Sequence, residues 1–459
     1  MTDDPTKGTA NAHPDCAAEG CAESRLLMSR RAALGFTAGL FSWAYMPRFA
    51  EGAGSDDPRL LIVVLRGGMD GINTVVPFGD PHYISMRGGI AIPAASTIRL
   101  NSFFGLHPAL QEFGRMYLRR EAAVVHATCV PLHNRSHFDA QDNLETGLPG
   151  VIVANSTGWL NRLLTALPAG APIKAQGAIQ IDDAPLILRG PAPVLGWSPT
   201  PFSSVMDPTL YMVETLYRDN DREMYRMLQR GLKAHRLASR LGEDDGDISE
   251  LRKGFRGAGR LIAADNGPRI AVLSVGGWDT HVNQGGAEGV HANVLAELDA
   301  GIADFKTCVG SAWSKTVMVL ATEFGRTVRV NGVRGTDHGV GTVALLAGGA
   351  VNGRRVFGDW PGLAPNRLYE GSDLRPTTDL RSVFKGVLRD HIGVPGSLLN
   401  GTIFPESASA PPSRNLVKTS STSQPAASEA IVPMRSEPPI ARYRRKQRIV
   451  QTPDATHAQ

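Results

Sequence analysis

Cysteine is scarce in this chain: four in 459 residues. Two of them, Cys16 and Cys21, lie in a polar N-terminal stretch. The other two, Cys129 and Cys308, are too few for a disulfide framework in a chain of this length. A large excess of one charge is also missing. The formal net charge is +4, and part of it sits in a basic run at 442–448, which gives no nucleic-acid signature. Long apolar runs are absent near the N-terminus. Residues 35–46 are too short and too rich in glycine and alanine for a bilayer span, which needs about 20 apolar residues. The chain has instead 50 glycines and 42% apolar residues. Such a composition supplies a large core and many tight strand-end loops, as in an α/β protein.

The most informative stretch is Gly276-Gly277-Trp278-Asp279-Thr280-His281. It follows Ile270-Ala271-Val272-Leu273-Ser274-Val275, an apolar run that reads as a buried strand of a parallel sheet. Ligands of open α/β sheets sit beyond the carboxyl ends of the strands. Asp279 and His281 therefore fall where chemistry is usually found, and the glycines let the loop curl so that both reach one cation. A surface turn with a capping Asp would carry the same residues.

Other apolar runs end in the same way. Leu61-Ile62-Val63-Val64-Leu65 releases Asp70 on a Gly-rich turn. Thr316-Val317-Met318-Val319-Leu320-Ala321 releases Glu323, with Arg326 close behind. Asp337-His338 follows shortly after. Carboxylates gathered on one sheet edge need a counter-charge to stay ionised, and a metal ion supplies it. A further strand is expected over 121–127 and another over 342–347. Helical spacing is expected over 106–117, 159–164, 254–264, 291–305 and 379–391. Pro- and Gly-rich stretches at 168–177 and 190–201 read as loops.

Between two of these elements lies His133-Asn134-Arg135-Ser136-His137-Phe138-Asp139-Ala140-Gln141-Asp142. Ser136 suits a helix N-cap, with Asp139 at the capping-box position. The same hydroxyl at a helix start also suits a nucleophile, because the exposed N–H groups favour an alkoxide or an anion. Arg135 is shaped for a phosphate or sulfate fork. His137 and Asp142 are within reach of the expected metal site.

The N-terminal region carries Ser29-Arg30-Arg31 before its moderately apolar run, a pattern that resembles a Tat export signal. Small residues at Ala50 and Ala53 suit processing. The expected organisation is a leader over 1–53, an α/β domain over 54–405 and a disordered Pro/Ser-rich basic tail over 406–459. The expected partners are the Tat machinery and an anionic ester substrate, with no nucleic acid and no membrane span in the mature protein.

The pieces Leu65-Arg66-Gly67-Gly68-Met69-Asp70-Gly71, Ser136-His137-Phe138-Asp139-Ala140-Gln141-Asp142, Gly277-Trp278-Asp279-Thr280-His281, Ala321-Thr322-Glu323-Phe324-Gly325-Arg326 and Gly335-Thr336-Asp337-His338-Gly339 occur in this order. Together they resemble the bacterial family called domain of unknown function 1501, placed within the alkaline-phosphatase-like, or sulfatase-like, superfamily. The resemblance implies a three-layer α/β/α sandwich with a mostly parallel central sheet. It also implies an exported, metal-dependent hydrolase of phosphate or sulfate esters. Asp70, Asp279, His281, Glu323, Asp337 and His338 would hold a divalent ion (zinc, calcium, magnesium or manganese). Ser136 would attack, and Arg135 or Arg326 would hold the anionic oxygens. This sequence departs from the superfamily pattern in three ways. Asp279 and His281 are closely spaced, Glu323-Phe324 stands where relatives carry Asp-His, and Ser136 lacks the sulfatase Cys-x-Pro-x-Arg context. A periplasmic binding or assembly protein that keeps the fold without catalysis is the alternative.

Overall fold

A computed structural model describes residues 57–418, except 153–155, 169–170, 172, 174–176, 182–184, 199–206, 223, 226–227, 230–247 and 266. The expected leader and the end of the expected tail lie outside the described residues. Nine strands form the main sheet. In chain order they are β1 (Arg59–Leu65), β2 (Ala122–Cys129), β3 (Ala178–Ile181), β4 (Leu195–Trp197) and β5 (Ile270–Val275). They continue with β6 (Thr316–Thr322), β7 (Thr342–Ala347), β8 (Val356–Phe357) and β9 (Thr378–Asp379). Across the sheet the order is β8-β2-β7-β6-β1-β5-β3-β4, with β9 also paired to β2. Strand β1 runs parallel to β5 and β6, and β7 is antiparallel to both β6 and β2. The strands β1, β2, β5 and β6 therefore all point the same way, and their carboxyl ends share one edge.

Side chains alternate across the sheet because a strand has a period of two. Leu61, Val63 and Leu65 pack on one face with Phe113 and Met116 of α1 (Gln111–Leu118). Phe255 and Leu261 of α4 (Glu250–Ala263) and Leu295 and Leu298 of α5 (Val290–Val309) complete that layer. Leu60, Ile62 and Val64 pack on the other face with Leu144 of α2 (His137–Thr146) and Trp159 of α3 (Trp159–Ala166). Val383 and Phe384 of α6 (Leu380–Val387) lie in the same layer. Every residue of β1 is buried, which is why its sequence is apolar without alternation. Each fully buried Leu or Val there contributes roughly 1.5–3 kcal/mol. The fold is thus a three-layer α/β/α sandwich with a mostly parallel sheet, as expected. Among the described residues, no helix is long and apolar enough to cross a membrane.

Two expectations change. Strand β4 falls inside the stretch expected to be loop at 190–201; three residues beside an established edge need no long apolar run to pair. The disordered tail was expected from Glu406, yet Ser407, Ala410, Leu416 and Val417 are buried. Val417 bridges to Val351, and the Lys385 ammonium donates to the Ser407 and Ala410 carbonyls. Composition alone hid these few anchoring residues among Ser and Pro.

Strand β2 also carries a buried histidine. His126 donates from Nε2 to the Val75 carbonyl at 3.0 Å and accepts from Ala127 N at Nδ1 at 2.9 Å. Both ring nitrogens are used only when the ring is neutral, and burial pushes its pKa down to about 4. Buried His291 is pushed down to about 3 for the same reason. The unfolded chain takes up these protons near pH 6.5, whereas the folded chain refuses them. Stability contributed by His126 is therefore complete above pH ~6.5 and falls as pH drops to about 4. The loss is roughly 1.4 kcal/mol per pH unit per histidine in that window. Urea midpoints measured from pH 7 to pH 4 should fall, and the fall should be smaller in His126→Gln. A flat profile would contradict this.

Candidate metal centre

The carboxyl-end loops of β1, β5 and β6 meet around one side chain, Arg326. It is fully buried and donates to the carbonyls of Gly67, Gly68, Trp278 and Thr336. It also donates to Asp279 Oδ1 at 2.6 Å. Such close approach needs glycine in the first loop. Gly67 has φ +121°, and a Cβ there would stand 2.8 Å from Asp279 N. After β5, Trp278 is buried and donates from Nε1 to the Val275 carbonyl. This anchors the turn and leaves Asp279 emerging at the edge, with its side chain 48% exposed.

Three histidines surround Asp279. His338 lies on a two-residue antiparallel pair opposite Arg326. Its Nε2 is 3.1 Å from Asp279 Oδ1. His281 Nε2 is 3.0 Å from the same oxygen and 2.9 Å from His338 Nε2. His137, the first residue of α2, has Nε2 3.6 Å from Asp279 Oδ2. Ligand atoms of His137, Asp279 and His338 all lie within 4.8 Å of one another. Ligands about 2.1 Å from a tetrahedral ion stand roughly 3.4 Å apart, so these spacings suit one ion.

The opposite ring nitrogens explain why the Nε2 atoms face inward. His338 Nδ1 donates to the Arg135 carbonyl at 2.9 Å. His137 Nδ1 donates to Glu323 Oε1 at 2.8 Å. His281 Nδ1 lies 3.4 Å from Asp337 Oδ1. Metal-ligating histidines characteristically donate their second N–H to a carboxylate or carbonyl in this way. The Nε2 atom of His137 is itself buried and has no hydrogen-bond partner. A buried nitrogen without a partner is costly, and a ligand aimed at it would relieve that cost. The donor set therefore fits a divalent ion.

The electrostatics agree with the geometry. The hydrogen bond to Glu323 raises the His137 pKa, although a metal ligand must be the neutral ring. Burial lowers the pKa of His338, which leaves its ring neutral and able to ligate. Burial would raise the Asp279 carboxyl, but Arg326 and His338 hold it below the ordinary carboxylate range.

Several residues singled out in the sequence do other work. Asp70 is fully buried, with one oxygen capping a short helix through Ile72 N and Asn73 N. Its other oxygen takes Arg87 and the Gln284 amide, so no lone pair is directed to the histidine cluster. Burial would raise its carboxyl, but the Arg87 guanidinium and the hydrogen bonds from Gln284 and Asn73 hold it low. Glu323 is buried and accepts from Gly67 N, His137, Gln141 and Thr322. It orients His137 instead of standing in the cluster. Asp337 accepts from Asn331 and faces the outer side of His281. Ser136 is the N-cap of α2, accepting from Asp139 N at 3.5 Å. Asp139 takes the Asn134 amide. Arg135 is held by Asp373 and Glu370, and Arg326 is used up on carbonyls and Asp279. Arg326 is buried, whereas the Arg135 side chain stays partly exposed beside its two carboxylates. Asp142 lies more than a turn beyond His137 on α2, outside the cluster. Of the two residues expected within reach of the site, His137 is in the cluster and Asp142 is not. The signal that marks His137 is its place in the first turn after a capping Ser, facing the strand-end loops.

An α/β/α sandwich with a histidine–carboxylate cluster where strands β1, β5 and β6 end is thus the class of protein defined here. A family model described as "Protein of unknown function (DUF1501)" matches residues 121–403, and the chain belongs to that family. A search of curated proteins finds no match. Among solved structures, the chain is similar to the C-terminal periplasmic domain of EcEptC from Escherichia coli in complex with Zn. That match has 10% identity, covers 66% of this chain and 77% of that one, and has a TM-score of 0.32. A protein in the alkaline phosphatase superfamily from Vibrio parahaemolyticus matches at 12% identity, 68% and 64% coverage and a TM-score of 0.32. Phosphonate monoester hydrolase of Agrobacterium radiobacter matches at 10% identity, 73% and 74% coverage and a TM-score of 0.33. At such identities and scores the likeness carries no inference about chemistry or substrate.

Proposed function

We propose that this chain is a Tat-exported, metal-dependent hydrolase of phosphate or sulfate esters. One divalent ion would be held by His137, Asp279 and His338, with His281 at the rim. The observation that carries this reading is the buried Nε2 of His137, unpartnered and 3.6 Å from Asp279 Oδ2. Two or three imidazoles with one carboxylate favour zinc or a similar transition metal over calcium or magnesium, which prefer oxygen ligands. Such an ion supplies Lewis acidity and lowers the pKa of water beside it. Glu323 fixes the His137 ring, and Arg326 keeps Asp279 ionised and oriented. The half-exposed Asp279 leaves the cluster open to solvent on one side.

A specific observation also supports a non-catalytic, metal-holding reading. Arg135, Arg326 and Ser136 are all engaged within the fold. One experiment separates the two readings. The exported full chain is stripped with chelator, reloaded with zinc and assayed on p-nitrophenyl phosphate and p-nitrophenyl sulfate. Hydrolysis that disappears on stripping and returns with zinc is expected. Stoichiometric zinc with neither ester cleaved would favour the binding reading.

A further inference from the structure

The opposite edge of the sheet carries a second concentration of charge. A pocket of about 380 Å³ is lined by Arg120, Arg354, Arg355, Tyr117 and Asn101, among others. Arg120 precedes β2, and Arg354 and Arg355 precede β8, which runs parallel to β2. The pocket therefore lies at the amino ends of these strands, away from the histidine cluster. Its size is that of a small-molecule site.

Two observations point to an anion. All three arginines are exposed, and none has an ion pair or side-chain hydrogen bond among the described residues. The neighbouring carboxylate, Glu121, is already taken by Lys306 and Arg119. Three guanidinia around one concavity repel each other unless a counter-charge enters.

The backbone gives the second observation. Arg120 N donates to the Tyr117 carbonyl and Glu121 N to the Met116 carbonyl, the Schellman pattern that ends α1. The position Arg120 fills in that pattern usually belongs to glycine, and its φ is +61°. Arg354 is likewise left-handed, with φ +62°. Two arginines sit where glycine would cost less, which directs attention to what their side chains do.

We propose that Arg120, Arg354 and Arg355 form an anion site for a small molecule carrying a phosphate or sulfate group. Guanidinia match the oxygens of such groups with paired N–H donors. Tyr117 and Asn101 complete the wall beside the arginines.

The test uses full-length protein after chelator treatment, so that an ion at the histidine cluster cannot bind the probe. Equilibrium dialysis with labelled inorganic phosphate should show saturable binding that weakens with added NaCl. Sulfate and glucose 6-phosphate serve as competitors. Competition by glucose 6-phosphate at lower concentration than phosphate assigns the pocket to an ester. Equal competition assigns it to the oxyanion itself. The double variant Arg120→Gly, Arg354→Gly should bind about tenfold or more weakly per arginine lost. Its thermal midpoint should match or exceed that of wild type, because glycine adopts the same backbone freely. Absence of saturable binding of all three probes to wild type, or unchanged affinity in a folded double variant, overturns the proposal.

Discussion

Replacing His137 by alanine should abolish the proposed divalent-metal binding while leaving the protein folded. His137 is the member of the cluster whose Nε2 is buried with no hydrogen-bond partner, 3.6 Å from Asp279 Oδ2, which leaves it open to an incoming ligand. Changing a residue that merely orients a ligand costs ~10–100-fold in metal affinity. Removing a ligand itself should cost at least that much, and His338→Ala should behave alike. The fold should persist because His137 sits at the first turn of its helix, where Ser136 still caps the N-terminus. Elemental analysis after dialysis against buffered zinc measures the loss, and circular dichroism checks the helix content. His137→Ala protein holding as much zinc as wild type would remove the ion from this cluster.

The second large effect concerns a residue that looks like a ligand and is placed as a brace. Asp70 and Arg87 are an ion pair with both side chains fully buried. Arg87 also donates to the carbonyls of Thr327 and Val328, and Tyr83 and Arg87 share the Asn73 amide oxygen. Arg87→Met would leave the buried Asp70 carboxylate with neutral donors only, the Gln284 amide and the backbone N–H groups of Ile72 and Asn73. Breaking a buried pair from one side typically costs about 3–5 kcal/mol. Urea unfolding should register that loss. Asp70→Asn, in contrast, should leave the zinc content at the wild-type level. A stability change under ~1 kcal/mol in Arg87→Met would show that the pair is not isolated from water as drawn.

How much of this was legible in the sequence depends on where each residue's partners lie. Strands β1, β5, β6 and β7 announced themselves because both faces of the sheet are covered, and their apolar runs are unbroken. Asp279 and His281 stand just beyond such a run, and the structure gathers them with His338, which reaches the same edge on a short antiparallel pair opposite Arg326. Asp70 has the same position in sequence, but its partners are 17 and 214 residues away. Nothing local distinguishes a carboxylate awaiting an ion from one already answered by Arg87 and Gln284. The arginines illustrate the same limit in reverse. Arg326 and Arg135 resemble substrate clamps until the carbonyls and carboxylates that claim them are seen. Arg120 and Arg354 carry no such signal in the sequence, because neither a left-handed backbone nor a missing counter-ion is written in their neighbours.

Arg326 has one more consequence. A single rigid fork joins the loops after β1 and β5 and the segment before His338, so these loops cannot adjust one at a time. An ion reaching this edge meets a receptor whose spacing is already set, which lowers the cost of binding. The same stiffness would make the edge, were an ion bound there, a gauge of ionic size. A cation content with ligands about 3 Å apart is accepted as it comes. One that needs a wider oxygen cage would have to pull apart the four hydrogen bonds from the Arg326 guanidinium to backbone carbonyls.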